Sequence, residues 1–206
     1  MVGFDLDMTL IDTRPGFSAC LEVLAAEEDL DLDIPALVSR LGPPLDLMLA
    51  PYADAARIPG LVARFRALYP EIAVPPTPAF DGAHDALAAV RRRGGTTLVV
   101  TGKFTPNALL HTDALEFDVD AVVGEVWGTG KGQVLREHRA EAYVGDHVHD
   151  VEGARAAGVV SVSVLTGGCT AEELLDAGTD VVLASLTEFP AWFDAWHRSG
   201  RSGGAA

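Results

Sequence analysis

Phe4-Asp5-Leu6-Asp7-Met8-Thr9-Leu10 places two carboxylates two residues apart, directly behind a short apolar run. The stretch Met1–Leu6 has the length and the apolar, aromatic content of a buried strand, and polar residues cluster where that strand should end. In open α/β sheets, ligands bind outside the carboxyl ends of the strands. Two acids crowded at such an edge repel one another, and burial adds to the cost. A cation, a proton or a reaction is needed to justify them.

Working outward, the second half of the chain repeats a strand-then-helix rhythm. Thr96–Thr101 is β-branched and apolar, and Gly102 ends it. Pro106–Leu115 then has helical spacing, Ala121–Val123 reads as a strand and Gly130–His138 as a helix. Ala142–Val144, Val159–Val164 and Asp180–Leu183 read as further strands. Val148–Ala157, Ala171–Ala177 and Leu186–Trp196 are the helices that alternate with them. Such alternation predicts an α/β fold with a doubly wound parallel sheet covered on both faces.

Residues Pro15–Pro78 break the rhythm. They hold Leu- and Ala-rich helical stretches (Phe17–Asp29, Ile34–Leu41, Ile58–Leu68) and no strand, and Pro75-Pro76-Thr77-Pro78 reads as a stiff return to the sheet. Ala83–Arg93 resumes the core. The expected division is therefore a core of residues 1–14 and 79–198, a helical insert of 15–78, and a small polar tail, 199–206, expected to be disordered.

The chain has 206 residues, 49% of them hydrophobic and 22% charged, enough for one good-sized domain with an appendage. A formal charge of −15 argues against nucleic acid or an anionic membrane as partner. An anionic substrate would have to be held by local Lys, Arg, backbone amides or a metal. Cys20 and Cys169 have no metal-type spacing and read as free thiols. With no signal-like segment at the N-terminus, the expected compartment is the cytoplasm.

Each polar cluster closes a predicted strand: Asp5/Asp7, then Thr101-Gly102-Lys103, then Lys131, then Gly145-Asp146 with Asp150. Parallel strands bring all of these ends to one edge. Carboxylate oxygens without His/Cys spacing suit a hard cation such as Mg2+. One carboxylate could then attack phosphorus, a second could move protons, and Lys and backbone amides could offset charge on the phosphoryl oxygens.

Asp5-Leu6-Asp7-Met8-Thr9-Leu10-Ile11-Asp12, Thr101, Lys131 and Gly145-Asp146-His147-Val148-His149-Asp150 stand in the order and spacing of the haloacid dehalogenase superfamily, which this chain resembles up to about Trp196. The helical insert looks like that superfamily's C1-type cap on a Rossmann-like core, and the layout resembles the phosphoglycolate phosphatase and β-phosphoglucomutase-like group. The resemblance implies Asp5 as nucleophile and metal ligand, and Asp7 as general acid/base with its backbone carbonyl on the metal. It implies that Thr101 and Gly102 hold phosphate, that Lys131 steadies nucleophile and phosphate, and that Asp146 binds Mg2+. Asp150 is a further ligand or a supporting partner. One departure stands out. The family usually has Gly after the second Asp, where this chain has Met8, and a side chain there would narrow the entrance or touch the insert.

Other residues have two readings. Lys103 belongs to the phosphate site or is a surface lysine. Arg40 either reaches the substrate from the insert or is a solvated helix-end residue. His147 and His149 flank Asp146 but lack a Cys or third His for a transition-metal site; they read as loop residues, with His147 facing the insert. The expected activity is Mg2+-dependent hydrolysis of a small phosphorylated metabolite, phosphoglycolate-like by resemblance. The alternatives are a phosphomutase or a catalytically silent interaction protein on the same scaffold. Either a monomer or a homodimer fits. A receiver domain is excluded by order, since its nucleophile follows the third strand.

Overall fold

The computed structural model describes residues 1–202. Strands β1 (Val2–Phe4), β2 (Thr97–Val100), β3 (Ala121–Val123), β4 (Ala142–Gly145), β5 (Val160–Val164) and β6 (Val181–Leu183) form one parallel sheet of order β3-β2-β1-β4-β5-β6. The first strand thus lies between β2 and β4, where the winding reverses. That reversal opens a crevice at the carboxyl ends, and the chain enters it at Asp5.

Both faces of the sheet are covered, and the side-chain period of two decides which residue faces which layer. Val99, Ala142 and Val144 join Leu87 and Val90 of α5 (Ala83–Arg92) and Phe189 and Phe193 in one core. Leu98, Val100 and Tyr143 point the other way, against Leu135 of α7 (Gly130–Glu137) and Ala154 of α8 (Val148–Ala157). The remaining core helices are α6 (Thr105–Ala114), α9 (Ala171–Ala177) and α10 (Phe189–Ser202). The last of these begins after a 3-10 turn, Leu186–Glu188, and continues to Ser202, so the tail expected from Ser199 is helical at its start; residues 203–206 lie outside the described residues.

The insert is all helix: α1 (Arg14–Glu28), α2 (Ile34–Ser39), α3 (Leu45–Leu49) and α4 (Ile58–Ile72). The helix α3 is an addition to the expected set. Its five residues between Pro44 and Pro51 are too few to show a helical period. Helices α1 and α4 pair through Phe17 and Phe65, ring centroids 5.4 Å apart, over a core of their own with Leu21, Leu24 and Leu61. The outgoing and returning strands of chain pair where they cross. Asp12 N donates to Pro78 O at 2.9 Å and Phe80 N to Leu10 O at 2.9 Å. Among the described residues no helix is long and apolar enough to cross a membrane.

Candidate active site

Beyond β1, Asp5 N still donates to Val144 O (2.8 Å), and the backbone then winds back so that Leu10 N and Ile11 N both reach Leu6 O, at 2.9 and 3.1 Å. This turn demands a left-handed residue, and Met8 supplies it with φ +61°. Met8 N donates to Ile11 O (2.9 Å), and its carbonyl accepts from Thr166 Oγ1 (2.6 Å). The two carboxylates on either side of Leu6 thereby enter different surroundings.

Asp5 is buried, with Oδ1 accepting from Lys131 Nζ at 2.8 Å. The same ammonium donates to Asp150 Oδ1 (2.6 Å) and to Tyr143 Oη (3.0 Å), so all three of its protons are placed. Burial pushes Asp5 up, Lys131 pulls it down, and Asp150 and Asp7 push again, leaving it at about 7. Lys131 stays charged, well above the ordinary lysine value, because Asp150 and Asp5 outweigh its own desolvation.

Asp7 faces a different cation. Its Oδ1 accepts from Lys103 Nζ and from Thr13 Oγ1, each at 2.5 Å, and Thr101 Oγ1 lies 3.5 Å from Oδ2. Burial raises the Asp7 pKa, but Lys103 and Thr13 more than offset this and hold it below the usual carboxylate range. The side chain of Lys103 is only 9% exposed, so it is a largely buried partner of Asp7 and not a solvated surface lysine. Behind it stand Tyr69 of α4, whose ring centroid is 5.0 Å from Nζ, and His111 of α6, whose Nε2 is 2.9 Å from Tyr69 Oη. Burial holds the Tyr69 hydroxyl protonated (up to about 12) and His111 neutral (down to about 4), and which of the two donates depends on whether Nε2 or Nδ1 of His111 carries the proton. The buried Nδ1 of His111 finds no partner among the described residues.

Asp146 and Asp150 come from the β4–α8 junction. Asp150 Oδ2 accepts from the amides of Asp146 (3.2 Å) and His147 (3.1 Å), closing the N-terminus of α8, while Oδ1 is on Lys131. A Cβ at Gly145 would lie 2.4 Å from the Asp150 carboxyl, so only glycine lets β4 pass this close. Thr9 Oγ1 donates to Asp146 Oδ1 at 2.7 Å, and Oδ2 is turned toward Gly167. Oxygens of Asp5, Asp146 and Asp150 lie within 4.8 Å of one another. Burial, Asp150 and Asp5 together raise Asp146 well above the ordinary carboxylate value. Three buried acids, two of them paired with Lys131, form an all-oxygen, electron-rich set, which is the donor chemistry of a hard divalent cation. With both oxygens of Asp150 already engaged, Asp5 and Asp146 fit the role of ligands and Asp150 that of their anchor.

The remaining expected residues sort by position. Thr101 is buried, accepts from Lys103 N at 3.1 Å, and with Gly102 borders the same cavity as Asp5. His147 lines that cavity beneath Gly42 of the insert, and its Nδ1 accepts from His149 N at 3.2 Å. His149 meets Trp127 (4.2 Å between ring centroids) and Glu152 (2.9 Å), with no metal-binding grouping around it among the described residues. Arg40 is exposed at the end of α2 and stays outside the cavity lining. Sequence reasoning passed over Thr9, Thr13, Tyr143 and Thr166, which hold the acids, Lys131 and the Met8 carbonyl. Each is an ordinary strand or turn residue in the sequence, and only Thr9 lay inside a quoted motif.

Residues 2–164 match the family profile described as haloacid dehalogenase-like hydrolase. The chain is 31% identical to a phosphoglycolate phosphatase of Caulobacter vibrioides over 92% of its own length and 88% of the relative's. It is 30% identical to a 5'-nucleotidase of Pseudomonas aeruginosa, covering 83% and 85% of the two chains. In structure it superposes on a haloacid dehalogenase-like hydrolase from Streptococcus pneumoniae with TM-score 0.82 at 22% identity, covering 93% and 97%. With its acids, lysine and threonine gathered at the carboxyl edge of a parallel sheet, this chain belongs to the haloacid dehalogenase-like hydrolases and is a phosphatase of that family.

Proposed function

We propose that the enzyme is a Mg2+-dependent phosphomonoester hydrolase working through an aspartyl-phosphate on Asp5. One observation carries this reading: two carboxylates share one cavity yet belong to separate ammonium groups, Asp5 to Lys131 and Asp7 to Lys103. Each can therefore do a different job. When bound, Mg2+ supplies positive charge that favours the ionised form of Asp5 and draws the phosphoryl oxygens in.

The chain's own residues supply the rest. An Asp5 oxygen attacks phosphorus, and the bond from phosphorus to the alcohol oxygen breaks. Asp7 gives the departing oxygen its proton. Resting Asp7 is ionised, but a phosphoryl dianion brought beside it favours protonation, because like charge raises a carboxylate's proton affinity. Water then attacks the phosphorus of the acyl phosphate, and Asp7 takes the proton back as phosphate leaves and Asp5 is restored. Lys131 and Thr101, with the Gly102 amide, offset charge on the equatorial oxygens. A silent scaffold would be expected to lack one of these groups, whereas Asp5, Asp7, Lys131 and Asp146 converge.

The substrate is a small phosphorylated metabolite, and phosphoglycolate, for which one relative is named, is the reference compound. The free thiols Cys20 and Cys169 support a reducing compartment such as the cytoplasm. Phosphate release with and without Mg2+, in wild type and Asp5→Asn, tests the reading. Mg2+-dependent release with an acid-stable, hydroxylamine-labile phosphoenzyme is expected from wild type alone. Turnover by Asp5→Asn at near wild-type rate would overturn it.

A further inference from the structure

The cavity floored by Asp5 and Lys131 has a volume of about 720 Å3 and rises into the helical insert. A two-carbon acid phosphate would fill a small part of it; the volume belongs to the range that encloses drug-sized ligands. The upper wall is apolar, made by Leu41, Leu45, Leu47, Met48, Val62 and Phe65. The insert adds two charged side chains to the lining, Asp46 and Arg66. Asp46 would repel a carboxylate. The Arg66 guanidinium lies 4.1 Å over the ring of Phe104, which also lines the cavity, and 3.8 Å from Glu125, so its charge is already shared with an acid. Lys103 and Lys131 are held by acids on the floor. Opposite the insert, Trp127 is 38% exposed, edges against His149, and offers a ring to the cavity.

From this distribution we infer that the enzyme acts on phosphomonoesters of bulky, uncharged alcohols with an aromatic or branched apolar body, and discriminates against substrates that carry a second anionic group. The inference rests on the phosphatase reading and narrows its substrate class. Phosphate is matched on the floor, where cations and backbone amides gather. A carboxylate on the leaving group would have to desert water for an apolar wall whose one cation among the described residues, Arg66, already has Glu125 beside it, a costly transfer. An aromatic ring would instead bury apolar area against Leu47, Met48 and Trp127.

The test compares kcat/KM for 2-phenylethyl phosphate and phosphoglycolate with Mg2+ present. Both are alkyl esters, so the ease of alcohol departure does not decide the outcome. The aromatic ester should lead by about a hundredfold or more, the scale on which apolar pockets discriminate. Leu47→Arg, at a position 58% exposed and therefore tolerant of the change, should narrow that lead about tenfold by giving the wall a cation. Binding of both esters to Asp5→Asn, followed by calorimetry, is read separately from turnover. Tighter binding of the aromatic ester without turnover by wild type would uphold the cavity inference and sink the phosphatase reading. Turnover that favours phosphoglycolate, or an unchanged ratio in Leu47→Arg, would overturn the inference while leaving the phosphatase reading intact. No binding and no turnover would overturn both.

Discussion

The floor and the upper wall of one cavity are built on opposite principles. On the floor the cations are committed to acids: Lys131 spends its three protons on Asp5, Asp150 and Tyr143, and Asp7 is held between Lys103 and Thr13. Such a network is costly to disturb wherever a deletion leaves a buried charge without any partner. The wall above is apolar, made by Leu41, by the five-residue α3 and by one face of α4. Chemistry is thus carried by the half of the cavity built from paired charges, and selection by the half built from apolar side chains.

The sharpest way to break this contrast is at the nucleophile. Asp5→Asn should lower kcat by about four orders of magnitude or more, the scale seen when a covalent catalyst is removed. Its melting temperature should stay within a few degrees of wild type, since the amide still fills the space beside Lys131. Lys131→Met comes next. Here activity should fall and stability should fall with it, by about 3–5 kcal/mol, because Asp5 and Asp150 are left buried without their ammonium. Chemical denaturation checks this, and an unchanged midpoint would show that the floor is not the network described. Gly167→Ala is subtler. A Cβ there would lie 1.8 Å from Asp146 Oδ2, so this carboxylate must shift. The apparent Mg2+ affinity should drop about tenfold to a hundredfold, as for other disturbed ligand supports, with kcat recovering at saturating Mg2+.

A smaller effect probes the seam where wall and floor meet. His111 is held neutral mainly by burial, then by Lys103, with Asp7 opposing, and titrates near 4 when folded against 6.5 when unfolded. A base whose folded pKa is depressed contributes stability that is complete above 6.5 and lost as pH falls toward 4, since the unfolded chain takes the proton first. Across that window each pH unit should cost about 1.4 kcal/mol through this one group. His111→Gln should flatten the fall in unfolding free energy between pH 6.5 and 4.5. An equally steep fall in the variant would assign it to the carboxylates alone.

The floor was legible in the sequence because strand ends in a parallel sheet must converge, so Asp5, Asp7, Thr101, Lys131 and Asp146 could be placed together before any coordinates. Lys103 stayed ambiguous, since nothing in Thr-Gly-Lys-Phe says that the lysine turns inward to meet an acid 96 positions earlier in the chain. Tyr69 and His111 were invisible for a related reason: their hydrogen bond joins a helix of the insert to a helix of the core, and neither residue lies in a motif. The upper wall was less legible still. Five-residue α3 between prolines shows no period, and an apolar helix face reads the same whether it meets a core or a ligand.

Met8 belongs to both halves, and replacing it sharpens the comparison by its smallness. The left-handed conformation at φ +61° costs a non-glycine residue about 1–2 kcal/mol, which Met8→Gly would relieve. Against that, the side chain is 5% exposed, and losing its burial costs about 1.5–3 kcal/mol. Glycine's freer unfolded state adds about 0.5–1 kcal/mol to the loss. The balance is a destabilisation of about 1 kcal/mol, or a fall of about 2–4 °C in melting temperature for a chain of this size. Because Met8 lines the cavity without carrying charge, KM for a bulky ester should move while kcat holds. A large fall in kcat would mean that this side chain fixes the turn presenting Asp5 and Asp7, and that the division between a chemical floor and a selective wall fails at the residue where they join.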